Sequence, residues 1–149
     1  MIKNTLTILA IFLLTACSQS PFPADSLVIE KNSPAIINGV LNEPIGIETL
    51  GGVFTPLIEP GTTVPCTHTE IFSTAADNQD QIMITLYRGE EKLVSDNTQI
   101  GKYQIQEIPP APRGEPQIQI SFIVSDADIR LHAKDLATDK TMKIVEKKE

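Results

Sequence analysis

The chain is predicted to be all-β, an antiparallel β-sandwich of about eight short strands. Three observations predict it. Apolar residues recur with a period of two from Ile45 onward, turn signals punctuate these runs at short intervals, and no helical stripe of useful length follows the first seventeen residues. Aromatics make up only 5% of the sequence and Trp is absent, so a core must rest on Ile, Val and Leu. A length of 149 residues suits one domain and is tight for two.

The first segment stands outside that pattern. Lys3 supplies a short positive region, residues 6–14 an apolar run, and Leu14-Thr15-Ala16-Cys17 closes it. The run is too short to span a bilayer and suits an export signal. Leu-x-Ala-Cys resembles the bacterial lipoprotein cleavage box, which implies a signal peptide over 1–16 and lipidation of Cys17. An ordinary signal peptide or an uncleaved apolar helix is the other reading. Each buried acyl methylene contributes ~0.8 kcal/mol, so several chains anchor stably in a lipid membrane. Ser18, where Asp would retain the protein at the inner membrane, resembles the sorting pattern for the outer membrane of the bacterial cell envelope.

Residues 17–44 read as the lipidated Cys and a tether, with Pro21, Pro23, Pro34 and Pro44 set among polar residues and short apolar pairs. Residues 18–44 would span roughly 30 Å as a coil and no more than ~90 Å extended. The domain proper is expected over 45–149. With Cys17 acylated, Cys66 is the remaining cysteine; one thiol makes no internal disulfide, so packing must supply stability.

Within the domain, Ile45-Gly46-Ile47-Glu48-Thr49-Leu50 and Val53-Phe54-Thr55-Pro56-Leu57-Ile58 flank Gly51-Gly52, a hairpin signal because both glycines take positive φ without penalty. Pro56 removes a backbone donor, so its strand should lie at an edge or carry a bulge. Ile71-Phe72 leads into the small and amide side chains of residues 73–79, and the next strand is apolar on both faces, Ile82-Ile84-Leu86 against Met83-Thr85-Tyr87. Tyr103-Ile105, Ile118-Ile120-Phe122-Val124, Ile129-Leu131-Ala133 and Met142-Ile144 continue the alternation. Between them lie Pro60-Gly61, Arg88-Gly89, Asp96-Asn97, Pro109-Pro110, Arg113-Gly114 and residues 126–128 as turns.

Several of these segments carry a family resemblance. Residues 46–55 (GIETLGGVFT) and 72–79 (FSTAADNQ), then Ile108-Pro109-Pro110-Ala111-Pro112-Arg113-Gly114, Pro116-Gln117-Ile118 and Ala133-Lys134-Asp135, resemble in order the peptide-binding β-domain of the seventy-kilodalton heat-shock chaperones, the DnaK type. The resemblance covers about residues 45–146. It implies that Leu50 and Ala75 form an arch over an extended peptide. Ile47, Phe72, Ile82, Ile84 and Ile118 would line a pocket for one central Leu-like side chain, while Thr49, Ser73 and Gln79 help hold the peptide backbone. Periodicity alone makes the aliphatic members plain core. The family's apolar linker ending in Asp has its counterpart in Ala35-Ile36-Ile37-Asn38-Gly39, where the acid is missing, which argues against coupling to an ATPase. Residues 126–128 are shorter than the family's turn and lack its Gly, so the next strand could start in another register. The family's helical lid would follow beyond Glu149; without it, peptide exchange should be fast.

Other chemistry finds no support in the residues. A net charge of −7 with no basic, aromatic-interleaved patch sets nucleic acid aside. No Gly-rich phosphate loop, Gly-x-Ser-x-Gly or His-Glu-x-x-His occurs, so no ATP or other cofactor and no enzymatic activity are expected. Cys66-x-His68 offers two ligands, which do not make a zinc site. Two readings of function follow. The first is a lipid-anchored, nucleotide-independent holdase that binds extended apolar segments of unfolded proteins. The second is an envelope interaction lipoprotein whose loops dock a specific folded partner.

Overall fold

The computed structural model describes residues 23–29 and 34–148; the signal segment and Cys17 lie outside the described residues. Two antiparallel sheets face one another. The first is built from β1 (Leu27–Ile29), β10 (Ile129–Asp135), β9 (Ile118–Val124) and β6 (Cys66–Phe72) in that order, with β11 (Lys140–Thr141) also on β10. The second runs β12 (Lys143–Glu146), β8 (Thr98–Gln106), β7 (Ile82–Arg88), β4 (Ile45–Thr49) and β5 (Val53–Ile58). A separate hairpin pairs β2 (Ile36–Ile37) with β3 (Val40–Leu41). The strands of four residues or more are the ones that alternation and turn signals predict; the two- and three-residue strands are not. One 3-10 turn, Val94–Asp96, interrupts the run between β7 and β8.

The core sits between the sheets because each long strand turns alternate aliphatic side chains inward. Ile118, Ile120, Phe122 and Val124 of β9 meet Ile129, Leu131 and Ala133 of β10 on one side, all at most 1% exposed. Ile82, Ile84, Leu86, Tyr103 and Ile105 come from the facing sheet. Burial of each such side chain contributes roughly 1.5–3 kcal/mol, which is how a chain poor in aromatics holds a sandwich together. Central β7 also has Thr85 and Tyr87 buried on its outer face, in keeping with its two apolar faces. Pro56 lies in edge strand β5, beside a bulge where Ile45 pairs with Ile58 but Gly46 pairs with Pro56. The missing donor therefore costs no central ladder bond.

Residues 17–44 are not all tether. Ile29 is 5% exposed and Leu41 is 1% exposed, and both belong to the core. Leu27-Val28-Ile29 is too short for periodicity to mark, and only the edge of β10 gives it ladder partners. The β2–β3 hairpin turns at Asn38 and Gly39, both at positive φ, the pair that a tight two-residue hairpin demands. That Asn-Gly signal was available in the sequence. Leu41 N–H donates to Thr62 O at 2.9 Å and Val64 N–H to Gly39 O at 3.0 Å, tying the hairpin to the body.

The short turn at residues 126–128 leads straight into β10, which starts with Ile129 opposite Val124. Ser125 Oγ donates to Asp128 Oδ1 at 2.8 Å and accepts from Asp128 N–H at 3.0 Å, and the Arg130 guanidinium donates to Asp128 Oδ2 at 2.9 Å. The hydrogen bond from Arg130 is the main reason the Asp128 carboxyl titrates below its ordinary range; burial opposes it, and Ser125 adds to it. A carboxyl depressed in the folded state adds stability above its unfolded pKa and loses it as pH falls through the folded one. Asp128→Asn should therefore lower the urea midpoint at pH 7 and flatten its decline below about pH 4. Parallel midpoint curves for the two proteins from pH 7 to pH 2 would contradict this.

Candidate functional site

Both loops predicted to matter lie at one end of the sandwich. Thr49 opposite Val53 is the last pair of the β4–β5 hairpin, and Leu50-Gly51-Gly52 forms its tip. Gly51 and Gly52 have φ of +86° and +73°, and Gly52 N–H donates to Thr49 O at 3.2 Å. Leu50 at this tip is 99% exposed. Thr49 Oγ1 lies 3.0 Å from Thr55 Oγ1 and 3.3 Å from Val53 O, so it staples the hairpin to itself.

The hairpin leaves the sheet before β4 ends. β4 pairs with β7 only through Ile45, Gly46 and Ile47, opposite Arg88, Tyr87 and Leu86, although β4 runs on to Thr49 and β7 begins at Ile82. Beyond Ile47 the two strands part. A cavity of about 380 Å³ opens there, lined by Glu48, Thr49, Leu50, Gly51, Met83 and Thr85. Its walls mix apolar groups with hydroxyls, and Glu48 adds a carboxylate that also accepts from Tyr87 Oη at 3.4 Å.

The second loop, residues 73–81, is laced to residues 108–116. Ser73 Oγ donates to Pro116 O at 2.6 Å, Asn78 N–H to Ala111 O at 2.8 Å, Arg113 N–H to Asp77 Oδ1 at 3.0 Å, and Gly114 N–H to Thr74 O at 3.0 Å. Within the loop, Gln79 Oε1 accepts from Ala75 N–H at 2.9 Å and Ala76 N–H at 3.1 Å, while Gln79 Nε2 donates to Gln81 O at 2.6 Å. The polar groups of Ser73 and Gln79 are thus engaged first in shaping the loop, as Thr49 is in the hairpin. Ala75 is exposed on that loop.

The five pocket residues come together, but inward. Phe72 stands opposite Ile118 across β6 and β9, half-buried against the core. Ile118 is 0% exposed, Ile84 4%, and Ile47 and Ile82 8% each. These four side chains are part of the core cluster and offer a ligand little surface in this state. Of the ten candidates, Thr49 and Leu50 line the cavity at the parted strands. Met83, 48% exposed on its outer rim, was missed; an exposed Met in a strand already apolar on both faces is the signal that could have found it. Asp77, Thr74 and Arg113 were missed too, since their work is between loops far apart in sequence.

Other reactive groups lie elsewhere. His68 and Cys66 share a face of β6, but His68 Nε2 sits 2.8 Å from Glu70 Oε1. Burial pushes the Cys66 thiol up, which leaves it a weak nucleophile at neutral pH. Among the described residues no three His, Cys, Asp or Glu side chains cluster as metal ligands.

Comparison with known proteins adds two findings. The family model of the Hsp70 protein matches residues 29–149. The chaperone protein DnaK of Methanothermobacter thermautotrophicus is 52% identical over 101 residues, which cover 67% of this chain and 17% of that protein. The chain therefore spans a small part of that relative's length.

Proposed function

The chain belongs to the Hsp70 family, and on that premise we propose that it binds extended apolar segments of unfolded proteins at the loop end of the sandwich. It would do so as a nucleotide-independent holdase with no enzymatic activity, tethered through lipid on Cys17 to the bacterial envelope, at the outer membrane. The observation that carries the peptide-binding part is the parting of β4 from β7 under a fully exposed Leu50. An extended ligand needs unpaired strand edges for its backbone and an apolar contact for alternate side chains. The diverging strands leave the first, and Leu50 with Met83 supplies the second. Support for nucleotide independence is local: residues aligned with the family's linker are closed into the β2–β3 hairpin and lack its acid.

Leu50→Asp tests the site without touching the core, since the replaced side chain is 99% exposed. The unmodified domain should bind a Leu-rich extended peptide with a Kd in the micromolar range, about −8 kcal/mol. Loss of a Leu contact worth roughly 1.5–3 kcal/mol should weaken this at least about tenfold. The melting temperature should stay put. Titration showing no binding to the unmodified protein at millimolar peptide, or equal binding by the variant, would sink the reading.

Burial of Ile47, Ile82, Ile84 and Ile118 favours a second reading, in which the loops dock a specific folded partner and never open to a peptide. Suppression of aggregation of an unfolded client by the purified domain separates the two. Only the first reading expects it.

A further inference from the structure

The outer edge of β10 is closed entirely by this chain's own segments. Residues 134 and 135 pair with Thr141 and Lys140 of β11, and Met142 N–H donates to Ala133 O at 2.8 Å. Residues 129–131 pair with Ile29, Val28 and Leu27 of β1. β1 therefore fills the half of the edge that β11 leaves open. Its inward side chains are part of the packing, with Ile29 5% exposed and Leu27 against the core. Upstream, β1 cannot extend along β10, because residue 142 already occupies that stretch. The chain turns away instead at residues 23–26, where Ser26 N–H and Oγ both donate to Pro23 O, at 3.1 and 2.8 Å.

We propose that Leu27–Ile29 is a docking strand that fixes where the N-terminal leash meets the sandwich and holds the β1/β10 edge against a lipid bilayer. This rests on the reading of Cys17 as the lipidated residue. Cys17 and Pro23 are only six residue steps apart. At full extension they reach about 20 Å, against the ~90 Å of a leash running free to residue 44. The short leash makes the sandwich a body held edge-on near the membrane, with β6 on the far side of the first sheet. Its partners are then segments at the lipid surface, not chains met some distance into the aqueous space. Docking also covers the half of the β10 edge that β11 leaves free, which would otherwise invite pairing with another chain.

The test uses the full-length lipidated protein in vesicles carrying a headgroup quencher. In a Cys66→Ser background, one fluorophore is placed by Lys140→Cys on β11, further along the same edge of β10 as β1, and another by Thr67→Cys on β6. Across the sheet, three strand spacings, roughly 14 Å, separate the two edges that carry these labels, and quenching should be about twofold or more stronger at 140 than at 67. Val28→Pro and Ile29→Asp should release β1, lengthen the leash and bring the two signals together. Hydrogen exchange on the soluble domain provides a second readout. Each release variant should speed exchange of the Ile129 and Leu131 amides, which lie on the same edge as the Ala133 carbonyl and face β1, by about tenfold or more, while the Arg130 amide on the β9 side and β7 and β8 stay protected. Flotation of the lipidated protein with equal quenching at both labels overturns the docking strand. A protein that does not float overturns the lipid anchor and the orientation with it, while unchanged exchange in both variants overturns β1 docking by itself.

Discussion

Ile84→Asp should bring the domain close to unfolding at neutral pH, not merely empty a binding site. Ile84 is 4% exposed, pairs across the sheet with Tyr103 and shares its inward face with Ile82 and Leu86. A carboxylate placed there must lose its hydration among aliphatic and aromatic groups. The cost is about 4–5 kcal/mol, most of the stability of a small domain. Low dielectric would raise the pKa of the new carboxyl above its unfolded value, so the penalty applies in full at pH 7 and shrinks as pH falls through the raised value. Urea midpoints at pH 7 and pH 4 would show it: the gap to the unmodified protein should narrow at the lower pH. Ile84→Val, which deletes one methylene, should cost only about 1 kcal/mol. A folded Ile84→Asp protein that had simply lost peptide affinity would show that this side chain faces an open groove. That outcome would reinstate the aliphatic floor as a binding surface. The contrast with Leu50→Asp is the useful one, since the family resemblance assigns both positions to one site and the fold puts them at opposite extremes of burial.

Gly46→Ala should be nearly as damaging, for a reason of space alone. A Cβ on Gly46 would collide with the carbonyl oxygen of Thr55 and lie 2.8 Å from both Phe54 Cε2 and Pro56 Cα. Two of these three are backbone atoms of the neighbouring strand, held by the bulge at Ile45 and Gly46. Only a shift of β5 can make room. The expected cost is about 3 kcal/mol, at the upper end for overpacking. Because β5 carries one arm of the hairpin, the shift should also disturb Leu50 and weaken peptide binding. Gly51→Ala is the matched control: its φ of +86° strains an alanine, but a Cβ there meets nothing within 4 Å. Its cost should be about 1 kcal/mol. Thermal melts of the two variants giving equal losses would show that β5 moves freely at the bulge.

The contrast between local and long-range determinants runs through the whole molecule. Alternation in Ile118-Ile120-Phe122-Val124 and in Ile129-Leu131-Ala133 is set by the pleat of a strand, so it reads directly from residue order. The Gly51-Gly52 turn and the edge position of Pro56 are likewise local: each depends on what one residue's φ or missing N–H allows. Asn38-Gly39 was equally readable as a hairpin.

Residue order by itself determined the sandwich, its long strands, the hairpin that presents Leu50 and the family to which the chain belongs. Tertiary structure alone decided three matters. It placed Leu27–Ile29 on β10, a pairing that joins residues about a hundred positions apart. It engaged Thr49, Ser73 and Gln79 in bracing their own loops, because hydrogen-bond partners such as Pro116 come from elsewhere in the chain. And it chose, for Ile84 and Ile118, the core that periodicity favours over the pocket that the resemblance implies, while leaving Leu50 in water. An apolar side chain has the same affinity for a core as for a ligand's pocket. Which of them it meets depends on what the opposite sheet brings against it.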